Sequence, residues 1–457
     1  MERCETVNSL VAVHSRTLAW NEQKKHEGKN QLTMGKQEKA MISVEEAFAR
    51  IMPHFSVLGP EEVEILDALD RVLADDIYSD MDIPPFANSA MDGYAVCAAD
   101  LQGASRENPV ALQVIGNLAA GHVSDLTVVS GSALRIMTGA PLPVGADAVV
   151  RFEDTSEGLS GGKWAERQAE NLVHVFVTAV PGENTRPCGE DVRKGELVLQ
   201  KGTVIRPSEI GVLASLGLSR VRVTRRPRVA VLATGDELLA IDQPLEPGKI
   251  RNSNEYSVAA LVLKYGGVPV RLGIARDNVA DLTAKVREGI ALGVDLFLTS
   301  AGVSVGDYDI VKDVLDAEGK MDFWQVRMKP GKPLAFGIVG GVPLIGLPGN
   351  PVSSMVSFEQ FARPAILKML GKTRLVKPTV EAILERDVSN SGRRGYIRVI
   401  LTRREHGWTA RVTGEQGSGV LTSMARANGL AVIPESKMIA RAGERVTVQV
   451  LDWTEQE

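Results

Sequence analysis

The stretch Arg226-Pro227-Arg228-Val229-Ala230-Val231-Leu232-Ala233-Thr234-Gly235-Asp236-Glu237 decides how the centre of this chain is read. Five apolar residues in succession, opened by a proline and closed by a Gly-Asp turn, describe a strand buried on both faces. The rhythm that follows alternates. A helical pattern near Tyr256 to Tyr265 leads to a strand-like run from Val268 to Ile274, a second helical pattern from Val279 to Leu292, and another apolar run from Leu296 to Thr299. Strand and helix in alternation predict a parallel α/β domain, ending after a helix from about Val352 to Leu370.

Outward from this centre the character changes on both sides. Residues 1–40 are mostly polar with little periodicity and read as a flexible extension. Ser43, followed three residues later by Glu46 and by apolar residues at helical spacing, predicts the capped start of a first helix. Ile83-Pro84-Pro85-Phe86 interrupts regular structure, and the segment from there to Asn171 is rich in short β-like runs such as Ala146 to Phe152. Short turns and strands after Pro181 give way to a helical pattern from Ser208 to Leu216, and Arg225-Arg226-Pro227 marks a joint. Beyond residue 373 the pattern alternates in period two without a long helix, which predicts a small β barrel or sandwich. The fold class expected is multidomain, α/β plus β.

Composition narrows the function. The 457 residues are 44% hydrophobic and 24% charged, with a formal charge of −5, which suits a globular chain and offers no general attraction for nucleic acid or acidic lipid. Cys4, Cys97 and Cys188 are odd in number and far apart, so neither a disulfide framework nor a CxxC site is expected. The six histidines fall in no zinc-binding spacing. No apolar run reaches membrane-spanning length and no signal-like start is found, so a cytoplasmic protein without membrane or nucleic-acid partners is expected.

Three loops lie where strands of the α/β domain should end, the usual position for ligands in open sheets of this kind. They are Ala233-Thr234-Gly235-Asp236-Glu237, the run Thr299 to Asp307 containing Ser304 and Gly306, and Gly346 to Ser354 containing Pro348, Gly349, Asn350 and Ser353. Glycines allow a close backbone approach, and amides at a helix start favour an anion. Asp236, Glu237, Asp307 and Asp309 supply hard oxygen ligands, while Lys329-Pro330-Gly331-Lys332-Pro333 supplies two ammonium groups. Carboxylates and a phosphate share a site when a divalent cation stands between them, so the mixture points to magnesium and a phosphorylated ligand. Neither a Walker A loop nor GxGxxG is present.

Seven motifs together resemble the molybdopterin molybdenumtransferases, which include the bacterial MoeA type and the E domain of gephyrin. They are Asn88 to Ala95, Arg135 to Ala140, Gly189-Glu190-Asp191, Thr234 to Leu238, Gly302 to Asp307, Lys329 to Pro333 and Leu347 to Ser353, and the likeness spans about residues 41–457. It implies a split linker domain (41–83 and 172–224), an inserted β-rich domain (84–171), a molybdopterin-binding α/β domain (225–373) and a C-terminal β domain (374–457). It further implies a homodimer with active sites shared between subunits, transient contact with a molybdopterin adenylyltransferase, and molybdate, adenylylated molybdopterin and Mg2+ as the bound species.

By the same resemblance Asp92, Thr138 and Glu190 come from the partner subunit, and Asp236 and Asp307, with Glu237, organise the metal and the phosphates. Lys329, Lys332, Ser353, Arg398 and Ser418 hold the molybdate or the pyrophosphate-like bridge, with Arg393 as a further candidate. The reaction implied transfers molybdenum to the dithiolene with release of AMP. Two other functions are compatible with parts of the pattern: molybdopterin adenylyltransferase, which shares the α/β domain, and a non-catalytic gephyrin-like scaffold.

Overall fold

A computed structural model describes residues 41–159, 171–300 and 319–452. The extension before residue 41 and the loop holding Ser304, Gly306 and Asp307 lie outside the described residues. Contacts divide the chain into two units: Leu58–Arg225 with Leu370–Lys372, and Met1–Val57 with Arg226–Met369 and Thr373–Glu457. No described helix is long and apolar enough to cross a membrane.

The first of these units holds three apolar cores among its described residues. One joins residues from its two ends, Ala68 and Leu73 with Ile205, Leu213, Val221 and Val223. The antiparallel pair Pro60–Glu64 and Arg220–Thr224 covers it. The other two belong to a five-stranded sheet, in the order Ala148–Arg151, Gly93–Val96, Ser132–Ile136, Val110–Leu118, Leu172–Val175: one includes Tyr94, Val96, Leu112, Ala133 and Val150, the other the alternate residues Ala95, Leu134, Ile136 and Val149. Asp92-Gly93, a dipeptide that suits a hairpin turn, instead opens a strand paired on both sides.

In the other unit a short helix, Val44–Ile51, starts at the expected cap. The Ser43 hydroxyl accepts from the Glu46 amide at 3.0 Å. The Glu46 carboxylate turns to Arg50 at 2.5 Å rather than back to the cap, so half of the capping box forms.

The α/β domain runs β1 (Arg228–Thr234), α1 (Ser253–Lys264), β2 (Val268–Ala275), α2 (Val279–Ala291), β3 (Leu296–Ser300), β4 (Gly319–Gln325), β5 (Pro333–Val339), β6 (Val342–Leu347) and α3 (Pro351–Ser357). The sheet order is β2-β1-β3-β6-β5-β4. β2, β1, β3 and β6 are mutually parallel, as the alternation predicts. β5 and β4 add an antiparallel edge that the strand–helix rhythm did not show. β1 is buried at every residue after Arg228, which explains its unbroken apolar run. Beyond α3 the chain continues through a π-helical turn, Phe358–Ala362, into a further helix, Arg363–Met369.

The C-terminal strands are β7 (Thr379–Leu384), β8 (Arg394–Arg404), β9 (Gly407–Val412), β10 (Gly429–Ile433) and β11 (Arg445–Val450). The order β8-β9-β7-β11-β10 closes because β10 pairs again with β8. This is a five-stranded barrel filled by Leu384, Val399, Leu401, Ala410, Ile433 and Val448, which satisfies every strand edge without a large core. Met328–Lys329 pairs in parallel with the first two residues of β8, tying the lysine turn to the barrel.

Candidate functional site

A cavity of about 1080 Å³ opens where the parallel strands end. Its walls include Thr234 at the end of β1, Ser300 at the end of β3, the Pro348-Gly349-Asn350 turn after β6, the lysine turn, and barrel residues from Arg386 to Ser418. The position follows from parallel pairing, which brings the three carboxyl ends together. Every described lining residue belongs to one unit.

The anion-binding character is built locally, since the whole chain is acidic. Among the described residues, Arg251, Lys329, Lys332, Arg386, Arg393 and Arg398 line the cavity, against three carboxylates, Glu237, Asp387 and Glu415. Gly331 lets the lysine turn pack: its φ is +104°, and a Cβ there would stand 2.7 Å from the Ser357 hydroxyl. Ser353 is buried and lines the wall from the first turn of α3. Asn254, near the start of α1, donates to the Gly349 carbonyl at 2.6 Å and fixes that turn.

Arg398 is the largest fully buried side chain among the described residues. Its Nη2 donates to the carbonyls of Glu415 and Gly417, each at 3.1 Å, while Nε is buried without a hydrogen-bond partner. Burial pulls its guanidinium below the ordinary arginine range, partly opposed by the Glu415 charge. The loop it holds carries Ser418, whose carbonyl accepts from the Val352 amide at 3.1 Å, so barrel and α3 are linked through the site.

The residues expected in the site are distributed unevenly. Lys329, Lys332, Pro348, Gly349, Asn350, Ser353, Arg398 and Ser418 line one cavity, together with Glu237. Asp236 is a neighbour rather than a wall residue: its Oδ1 accepts from the Asp277 amide at 3.3 Å and its own amide donates to Asp277 at 3.2 Å. Ser304, Gly306 and Asp307 lie outside the described residues.

Asp92, Thr138 and Glu190 belong to the other unit. Asp92 Oδ1 accepts from the Thr138 amide at 2.7 Å and from its hydroxyl at 2.8 Å. These bonds, the amide's first, hold the Asp92 carboxyl below its usual range. Glu190 is exposed.

Arg386 and Asn254 were not picked out from the sequence. A polar Asn-Ser-Asn run at a helix start reads as capping alone, and Asn252 does cap α1. Arg386 sits in a short exposed segment after β7 with no motif around it.

Among the described residues no group of three or more His, Cys, Asp or Glu side chains is placed to hold a metal. A magnesium ion, however, is commonly held by one or two carboxylates with substrate phosphates and water. Glu237 on the cavity wall, beside a Thr234 hydroxyl that is buried without a partner, fits that limited demand. Among the described residues that line the cavity there is no cysteine or histidine.

Comparison with known proteins covers nearly the whole described chain. Residues 42–217 match the MoeA N-terminal region (domain I and II), residues 230–368 the "Probable molybdopterin binding domain", and residues 381–451 the MoeA C-terminal region (domain IV). The molybdopterin molybdenumtransferase 2 of Mycobacterium tuberculosis is 38% identical over 421 residues, covering 91% of this chain and all of that one. The molybdopterin molybdenumtransferase of Bacillus subtilis is also 38% identical, over 90% of this chain and 94% of its own. A crystal structure of the molybdopterin biosynthesis MoeA protein from Pyrococcus horikoshii aligns with a TM-score of 0.76 and 32% identity, covering 91% of this chain and all of that one.

Proposed function

The chain belongs to the MoeA family of molybdopterin molybdenumtransferases, and from that premise we propose that its cavity binds molybdate and adenylylated molybdopterin and couples molybdenum insertion to Mg2+-dependent release of AMP. Its activity is molybdenum insertion in cofactor biosynthesis, a transferase reaction.

One observation carries the finer reading: Lys329, Lys332, Ser353 and Arg398 face a single cavity at the strand ends of an otherwise acidic chain. Two ammonium groups and a buried hydroxyl suit a tetrahedral oxyanion, which needs several donors and positive charge at once. The turn Pro348-Gly349-Asn350 offers backbone to a phosphate at the start of a helical run. Lys329 and Lys332 would neutralise the charge on the molybdate oxygens, because preorganised cations act most strongly where water is thinned out. Ser353 would orient an oxygen of the same group.

Glu237, with Asp236 and Asp307, would hold magnesium. When bound, the ion would withdraw charge from the anhydride. Asp92, Thr138 and Glu190 would complete the site of a partner subunit in a homodimer. We further take residues 41–83 and 172–224 as a split linker domain, residues 84–171 as its insertion, and 225–373 and 374–457 as the two domains that build the cavity.

The deciding experiment incubates the purified chain with adenylylated molybdopterin, magnesium and molybdate. AMP release together with reconstitution of an apo-molybdoenzyme is the expected result. AMP that appears only after ATP and free molybdopterin are supplied would instead identify an adenylyltransferase, and no turnover with either would leave a scaffold.

A further inference from the structure

The cavity is larger and its described lining more cationic than one oxyanion requires, and the positive groups come from separate parts of the chain. On the α/β side stand Lys329 and Lys332; on the barrel side stand Arg386 and Arg393, which bracket the segment between β7 and β8. That segment is pinned at three points. Val388–Ser389 pairs with Ile439–Ala440. Asn390 Nδ2 donates to the carbonyls of Pro434 and Lys437, each at 3.1 Å. Asp387 accepts from Arg441 at 2.6 Å and from the Ala442 amide at 2.9 Å.

The last of these matters most for charge. Asp387 is the carboxylate adjacent to Arg386, yet its hydrogen bonds go to Arg441 and Ala442, and Arg386 makes no hydrogen bond or ion pair with any described residue. Arg393 has one long contact, Nη1 to the Met328 carbonyl at 3.5 Å. Two guanidinium groups on a braced segment thus reach a shared cavity without a described carboxylate partner. Guanidinium forks match phosphate oxygens in pairs, whereas ammonium groups act as point charges.

We propose that Arg386 and Arg393 form a second oxyanion subsite that takes the phosphate of the nucleotide, while Lys329, Lys332 and Ser353 take the molybdate. The assignment rests on the transferase reading given above and adds residues and a division of labour to it.

The test measures binding of AMP and of sodium molybdate, separately, to the full chain by calorimetry. Arg386→Gln with Arg393→Gln should weaken AMP by about tenfold or more and leave molybdate within about twofold. The reference is Arg403→Gln with Arg404→Gln, an equal charge change at exposed barrel positions that do not line the cavity; it should alter neither affinity. Unchanged AMP binding in the first variant overturns the subsite, as does an equal loss for AMP and molybdate, or an equal loss of AMP binding in the reference variant. A wild-type chain that binds neither anion would instead defeat the transferase reading itself. Melting temperatures confirm that each variant is folded before its affinity is read.

Discussion

Arg398 and Gln416 are bonded in both directions: the Arg398 amide donates to Gln416 Oε1 at 2.9 Å, and Gln416 Nε2 donates back to the Arg398 carbonyl at 3.3 Å. The glutamine carboxamide thereby takes the place of a paired strand residue beside β8. Its Nε2 also reaches the Gly414 carbonyl at 3.2 Å, so the loop carrying Ser418 is held from both its backbone and its side chain.

Gln416→Ala should therefore loosen the loop more than it destabilises the barrel. Loss of these partly exposed bonds should cost about 1 kcal/mol in chemical unfolding. The Michaelis constant for molybdate should rise by about three- to tenfold, through the slackened Arg398–Ser418 wall, with a smaller change in kcat. An unchanged Michaelis constant would show that the loop keeps its place without Gln416.

The Asp92 carboxyl should titrate below its ordinary value of 3.8, because two donors from Thr138 stabilise its charged form. The sign follows directly. A depressed folded value contributes stability that is present above the unfolded value and is lost as pH falls through the folded one. Asp92 is exposed, so this contribution should stay under about 1 kcal/mol after screening. Thr138→Val removes the hydroxyl but keeps the amide, which is the larger cause, so the NMR-monitored midpoint should move only part of the way back toward 3.8. A wild-type midpoint at or above 3.8 would refute the assignment.

Much of this arrangement was legible because single residues carry strong local signals. Val229 to Ala233 had to be a central strand, since only burial on both faces tolerates five apolar residues in a row. Ser43 marked a helix start through one side-chain bond. The antiparallel hairpin of β5 and β6 has its own signal in Gly340-Gly341, at φ of +54° and +82°, between the two strands. A reading governed by strand–helix alternation takes no account of it. The bonds from Arg398 to the Glu415 and Gly417 carbonyls have no motif behind them, because the register of the β8–β9 hairpin, which sets Arg398 against Thr413, brings those atoms together.

The helical run beyond α3 is anchored by a buried ion pair. Glu359 and Lys377 are 2.7 Å apart, both nearly inaccessible, and Tyr265 bonds to each. Glu359→Leu alone should cost about 3–5 kcal/mol, because it leaves Lys377 buried without its counter-charge. Adding Lys377→Met should recover part of that loss, with about 1–3 kcal/mol remaining for the Tyr265 hydroxyl that keeps neither partner and for buried Arg363, whose Nε lies 3.9 Å from the Glu359 carboxylate. Additive losses in the double variant would mean that the pair is not coupled.

Magnesium dependence separates the candidate carboxylates. Asp307→Asn and Glu237→Gln each remove one charge at nearly constant shape, and each should lower magnesium-dependent turnover by about tenfold or more while the fold survives. If a variant keeps both its rate and its magnesium requirement, that carboxylate is a turn residue and not a ligand.

The assignment of Asp92 and Lys332 to different subunits of one active site is open to a complementation test. Homodimers of Asp92→Ala or of Lys332→Ala should each be nearly inactive, because every site lacks one group. A dimer that pairs the two variants behaves differently: one of its sites collects both defects and the other collects neither. Random reassortment of equal amounts makes roughly half the dimers mixed, so about a quarter of the wild-type activity should return. Co-expression with two distinct tags allows the mixed species to be isolated, and in that purified species about half of the activity should return. Were both residues in the same subunit's site, every site in every mixture would still lack one group. Verified mixed dimers that remain at the level of the single variants would therefore rule out the shared site.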